Sequence, residues 1–252
     1  MSFVNWKENK VFYRQQGSGP DLLVLPGNTA TSICHQGEID YFKSHYRVTS
    51  IDFLGTGHSD RVSEWPVDWF KQCAQQVQAL LEHLNINECI LMGTSGGASI
   101  ALLAAIHFPE RIKAVIADSG MEFLSKETTE IEIIEDRKQR TGDQIGFWKF
   151  AQGTDWEQVV NADSDMLVRF AEQGGDCFAG QLKNITCPVL LTGSKADQSI
   201  PDILEQFSSM AAQIPGCRLY VHHQGSHPLM WSSPDDFRAV SDYFLRSLKF
   251  ES

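Results

Sequence analysis

Short apolar runs alternate with longer amphipathic stretches along most of the chain. Lys10–Gln16, followed by Gly-Ser-Gly-Pro, predicts a strand and a turn. Five further runs, Leu22–Leu25, Arg47–Asp52, Cys89–Met92, Ala114–Ala117 and Val189–Thr192, each end at or just before a glycine-containing turn. Together with Leu219–His222 they read as strands punctuated by turn residues. Helical patterns lie between them. Phe70, Cys73, Val77, Leu80, Leu81 and Leu84 fall on one helical face. Gly96–His107 has no polar face, so its helix should be buried on most sides. The last helix should start at Ser233, a capping residue, with Pro234 in the first helical position and Asp235 and Asp236 at the positive dipole end. Continuous apolar strands alternating with helices imply an α/β fold with a mostly parallel sheet covered on both faces.

The alternation breaks between Met121 and Gly180. That stretch shows only helical patterns, around Ile131–Arg140, Phe147–Gln152 and Trp156–Glu172. The expected organisation is therefore one core domain, 1–120 plus 181–252, with a helical insertion at 121–180 lying over one edge of the sheet. A chain of 252 residues can bury such a core without disulfide or metal staples.

Charge narrows the partners. With 21 Lys+Arg against 32 Asp+Glu the chain carries −11, of which the insertion holds −7. Nucleic acid and anionic membranes attract basic surfaces, so neither is expected as a partner. No apolar run approaches the roughly 18 residues of a membrane span, and the first residues lack an apolar signal core. A cytoplasmic monomer or homodimer acting on a small molecule is the expectation. The six cysteines form no CxxC pair and no zinc-ligand spacing, which predicts free thiols, and the candidate chemistry that follows needs neither metal nor organic cofactor.

The candidate chemistry begins at Gly93-Thr94-Ser95-Gly96-Gly97, between a strand and the buried helix. Small residues two before and two after a serine allow a sharp turn that exposes its hydroxyl above a helix N-terminus. Such a serine needs a base, and the base needs an orienting acid. Of the eight histidines, His227 follows the last strand and precedes the last helix, in a loop at the carboxyl ends of the strands, where α/β folds place their sites. Asp197 and Asp118 each follow a strand on that rim. Both satisfy the order serine, acid, histidine. An oxyanion hole needs two amide donors. The N–H of Gly96 and that of Asn28, in the Leu25–Thr29 turn, are the candidates.

At this point the chain resembles the α/β hydrolases, specifically the small, capped esterase and proline-iminopeptidase type. The resemblance runs from about Val11 to Leu248 apart from the insertion. It rests on Pro26-Gly27-Asn28, on Asp52-Phe-Leu-Gly55-Thr-Gly57-His-Ser59, on the serine turn, and on His227 followed by Pro234 and Phe237. It implies an eight-stranded sheet under a helical cap. It also implies a Ser95, Asp197, His227 triad, because the strand after the insertion is the family's usual acid carrier. Leu25-Pro26-Gly27 is similar to the valacyclovir hydrolase (biphenyl hydrolase-like) branch. That branch has an acidic residue directly after its serine to hold an amino group. Here the position is Gly96, so that preference does not carry over.

The activity the resemblance implies is hydrolysis of carboxylic esters. The same triad serves carbon–carbon bond hydrolysis or elimination in some relatives, and small-ligand signalling receptors retain it in others. Phe147, Trp148, Phe150 and Trp156 are the insertion's candidate pocket residues, with Trp148 foremost. Trp231, four residues after His227, should border the pocket.

Overall fold

The computed structural model describes residues 2–200 and 202–248. Its eight strands are β1 (Ser2–Trp6), β2 (Asn9–Gln16), β3 (Asp21–Leu25), β4 (Arg47–Ile51), β5 (Cys89–Thr94), β6 (Ile112–Asp118), β7 (Val189–Ser194) and β8 (Arg218–His222). They form one sheet in the order β1-β2-β4-β3-β5-β6-β7-β8. β2 runs antiparallel to β1 and β4, and every other pairing is parallel. The mostly parallel, eight-stranded sheet matches the expectation.

The period of two along each strand sorts side chains into two cores. Leu23, Leu25, Leu91, Val115 and Leu191 pack with α2 (Trp69–His83), α3 (Gly96–His107) and α8 (Ile203–Gln213). Leu22, Val24, Met92, Ile116 and Leu190 pack on the opposite face with α1 (Gln36–Phe42), α9 (Leu229–Ser232) and α10 (Pro234–Ser247). Helix α3 is buried from Gly96 to Ile106, as its unbroken apolar sequence requires.

Three features differ from the sequence reading. Ser2–Trp6 is an edge strand whose polar alternation gave too weak a pattern to stand out. β8 is the opposite edge, and Leu219 and Val221 on it are exposed rather than buried. Ser233 occupies the cap position of α10, but its side chain makes no capping hydrogen bond. Pro234 and the acidic first turn are left to define that helix start.

The insertion leaves the core after Met121 and returns through a short antiparallel bridge between Phe123 and Asp176. Gln206 of α8 ties down the departing strand by accepting from the N–H groups of Glu122 and Phe123. The first helical stretch runs through α4 (Lys126–Thr128), a π-helical segment (Thr129–Glu135) and α5 (Asp136–Lys138). Helix α6 (Gly142–Gln152) follows, opened by a reciprocal capping box between Thr141 and Gln144. Helix α7 (Trp156–Glu172) completes the insertion. Trp148 and Trp156 stack at 5.4 Å and form a small core of the insertion's own, with Arg140 over Trp156. All six cysteines are free thiols.

One buried group gives a pH-dependent stability. His35 is fully buried against Trp231 and has no hydrogen-bond partner among the described residues at either ring nitrogen. Burial pulls its pKa from 6.5 down to about 3. The unfolded chain takes up a proton below 6.5 that the folded one refuses until about 3, so stability is lost as pH falls through that window. His35→Phe should flatten this slope. Urea midpoints at pH 7 and pH 4.5 check it, and equal losses in both proteins would remove His35 as a source.

Candidate active site

Ser95 sits at the β5–α3 junction with φ 53° and ψ −127°, a conformation that costs a non-glycine residue energy. The surroundings impose it. The Ser95 N–H donates to the Asp118 carbonyl at 2.8 Å, and its own carbonyl accepts from Ala98 N–H at 2.8 Å to start α3. A Cβ on Gly93 would lie 2.1 Å from the Gly97 carbonyl oxygen, and one on Gly97 would lie 2.1 Å from that of Leu25. Both positions must therefore be glycine for strand, turn and helix to approach this closely.

His227 lies in the loop between β8 and α9, with its Nε2 2.9 Å from Ser95 Oγ. Its Nδ1 lies 2.8 and 3.1 Å from the two carboxylate oxygens of Asp197. A carboxylate can only accept, so Nδ1 carries the proton and Nε2 is free to accept from the serine hydroxyl. Asp197 is itself fixed by N–H donation from Ser199 and Ile200, each at 3.0 Å. Gln198, a residue the sequence did not single out, accepts from the His227 backbone N–H at 3.0 Å. The structure thus brings Ser95, His227 and Asp197 into one hydrogen-bonded line.

The competing acid plays a different part. Asp118 is fully buried and accepts from Thr192 and Thr94 hydroxyls at 2.7 and 3.2 Å and from Met230 N–H at 2.9 Å. Burial pushes its pKa up to about 7, against the opposing pull of those donors. It stitches β5, β7 and α9 together and makes no hydrogen bond to His227. Asp52 is likewise absorbed by its loop, accepting from Ser32 and His58 N–H groups at 2.8 and 2.9 Å.

Asn28 and Gly96 meet beside the serine. A Cβ on Gly96 would lie 2.0 Å from Asn28 Oδ1, so the asparagine side chain fills the space that a side chain at position 96 would need. The N–H of Gly96, in the first position of α3, has no acceptor within the helix. The Asn28 N–H makes no hydrogen bond among the described residues.

Above the serine opens a cavity of about 390 Å³. Met121, Ile133, Phe147, Trp148, Leu167 and Trp231 give it apolar walls. Phe147 and Trp231 close one side edge to face at 5.8 Å. Trp148 and Trp231 are both on the lining, whereas Phe150 points outward at 62% exposure and Trp156 lies behind Trp148. Glu132, Asp136, Asp143 and Arg137 also reach the cavity. No group of three or more potential metal ligands occurs among the described residues. No helix of the described residues is long and apolar enough to cross a membrane.

A strained serine turn at the carboxyl end of a central parallel strand, covered by a helical insertion, defines an α/β hydrolase-type architecture. The sequence profile described as "alpha/beta hydrolase fold" matches residues 20–140. The chain is an α/β-hydrolase-fold protein. It is 26% identical to the serine hydrolase BPHL of Homo sapiens over 94% of this chain and 83% of that protein. It is 25% identical to a proline iminopeptidase of Heyndrickxia coagulans over 98% and 96% of the two chains. The solved structure of the esterase EaEST from Exiguobacterium antarcticum superposes with a TM-score of 0.77 at 20% identity, covering 97% of this chain and 99% of that one.

Proposed function

We propose that this protein is a serine hydrolase of small carboxylic esters. The observation that carries the reading is the unbroken line from Ser95 Oγ through His227 to Asp197, at 2.9 and 2.8 Å. In this mechanism Ser95 attacks the carbonyl carbon while His227 Nε2 takes its proton. The negative charge that develops on the carbonyl oxygen is met by the N–H groups of Asn28 and Gly96. His227 then returns the proton to the departing alkoxide, leaving an acyl group on Ser95. Water, deprotonated by the same imidazole, releases the acid. Asp197 holds the ring in the tautomer this cycle needs and stabilises the imidazolium. An oxyanion donor alone contributes about 3–4 kcal/mol of transition-state stabilisation. The names of the human and Exiguobacterium relatives, serine hydrolase and esterase, agree with this chemistry.

A fluorophosphonate probe should label the protein once, at Ser95, and Ser95→Ala should abolish labelling. Labelling that persists in the variant would identify another activated serine. Turnover of short p-nitrophenyl esters should follow the same residue.

Asp197→Asn should leave the fold intact and lower kcat on the order of 10⁴-fold, as loss of the tautomer-setting acid does in serine proteases. Asp118→Asn should cost far less, because Asp118 contacts β5, β7 and α9 rather than the imidazole. Steady-state kinetics of both variants decide the assignment, and reversed effects would move the acid to β6.

The cavity also sets a charge preference. Glu132, Asp136 and Asp143 line it, and Arg137, the single Lys or Arg side chain on that lining among the described residues, is paired with Asp163 at 2.7 Å. Acids around a low-dielectric cleft concentrate cations and repel anions. Cationic and neutral esters should therefore show several-fold higher kcat/KM than an anionic ester of equal size at low salt. The gap should close as the Debye length falls from about 10 Å at 0.1 M to 3 Å at 1 M. A matched choline-type, neutral and succinate-type series tests this, and equal, salt-independent values would show that these acids act only as solvated surface.

A further inference from the structure

The insertion grips the turn that carries Asn28 from two sides. On one side, the Asn28 side-chain amide donates to Asp163 of α7 at 2.5 Å. Asp163 is fully buried and lies 2.7 Å from Arg137 Nη1, which also donates to Ser164 Oγ at 2.9 Å. The carboxylate requires a donor, so Asn28 must present Nδ2 to it and turn Oδ1 toward Gly96. On the other side, Gln152 of α6 donates to the Thr29 carbonyl at 2.8 Å while accepting from Gly57 N–H at 2.7 Å. Thr29 has φ 59°, so the turn is held in a conformation it would not keep unaided. The Asn28 peptide is thus clamped by helices outside the core domain.

We propose that Asp163 is a positioning residue for the oxyanion hole: through the Asn28 side chain it fixes the direction of the Asn28 N–H. This rests on the hydrolase reading above and adds that the transition-state donor is set from the cap. A donor aimed at developing charge acts on the transition state more than on the bound ester. Misalignment should therefore lower kcat and leave KM nearly unchanged. If the Asp163–Arg137 pair merely braced the cap, its loss would instead loosen the pocket and raise KM.

Asp163→Ala should lower kcat for a short neutral p-nitrophenyl ester by on the order of 10- to 100-fold, with KM within about twofold. A boronic acid inhibitor, which mimics the tetrahedral intermediate, should weaken in proportion to kcat/KM. In an Asn28→Ala background, where the handle is gone, Asp163→Ala should add less than about twofold, because residues that act through one contact are not additive. Asp163→Asn combined with Arg137→Gln keeps an acceptor for Asn28 without leaving a buried charge unpaired. It should recover most of the lost kcat, and it serves also if the alanine variant folds poorly. A KM-only effect, or an equal loss with and without the Asn28 side chain, would overturn the proposal. Turnover by the unaltered protein reports separately on the hydrolase reading. Independently of turnover, the Asn28 backbone amide resonance should shift in Asp163→Ala, and an unmoved resonance would overturn the proposal even if no ester were hydrolysed.

Discussion

The close approach of three backbone segments around Ser95 is the constraint on which the rest of the site depends. β5, the first turn of α3 and the end of β3 come so near that Gly93 and Gly97 each have a carbonyl oxygen about where a Cβ would stand. Gly27 is pressed against Ser95 in the same way, with its would-be Cβ 2.8 Å from Ser95 Cβ. This packing leaves Ser95 little choice but its positive φ. It also sets the height of the hydroxyl above the sheet, the direction of the α3 amides and the distance to the Asn28 turn. The energy of the strained residue is offset by burial of α3, which is apolar on all sides and packs between β5 and β6 over α2. Strand, helix and turn therefore stabilise a geometry that none of them would adopt alone.

Two aspartates on neighbouring strand ends show how environment divides similar residues. Asp118 ends β6 and is surrounded by donors that belong to the scaffold. Burial shifts it toward its neutral form, a poor state for orienting an imidazole. Asp197 lies beyond the end of β7, in a turn whose own N–H groups face one carboxylate oxygen. That leaves the other oxygen closest to His227. The first arrangement locks α9 to the sheet; the second leaves a carboxylate poised at the rim.

The same contrast explains what was legible in the sequence. The strands, the two-sided core and the buried helix were readable because they rest on local periodicity. The glycine spacing around Ser95 was readable because its requirement is steric and lies within five residues. The choice between Asp118 and Asp197 was not readable from the residues alone. It depends on Thr192, Met230 and Ser199, brought together by strand order. Ser2–Trp6 and the exposed β8 were obscured because edge strands lack the two-sided burial that makes an apolar run conspicuous. Arg137 was hidden by helix type. The spacing predicts a regular helix over Ile131–Arg140, whereas Thr129–Glu135 winds as a π-helix, which changes the face its side chains present.

Position 96 joins these threads. In the branch the sequence otherwise resembles, the residue after the serine bears an acid that reaches the substrate. Here Asn28 Oδ1 occupies the space its Cβ would require. A side chain at 96 and the present orientation of Asn28 are mutually exclusive, so the glycine and the asparagine are one structural choice rather than two. Asp163 is the complement of that choice: an acid supplied by α7, turned away from the cavity, neutralised by Arg137 and engaged with the asparagine. Charge that reaches the cavity comes instead from the π-helical segment, from α5 and from the first turn of α6. The core thus carries Ser95, His227 and Asp197, while the insertion supplies much of the cavity lining and part of the support of the Asn28 turn. Variation within the insertion can then alter the lining of the cavity and the support of the Asn28 turn without any change at Ser95, His227 or Asp197.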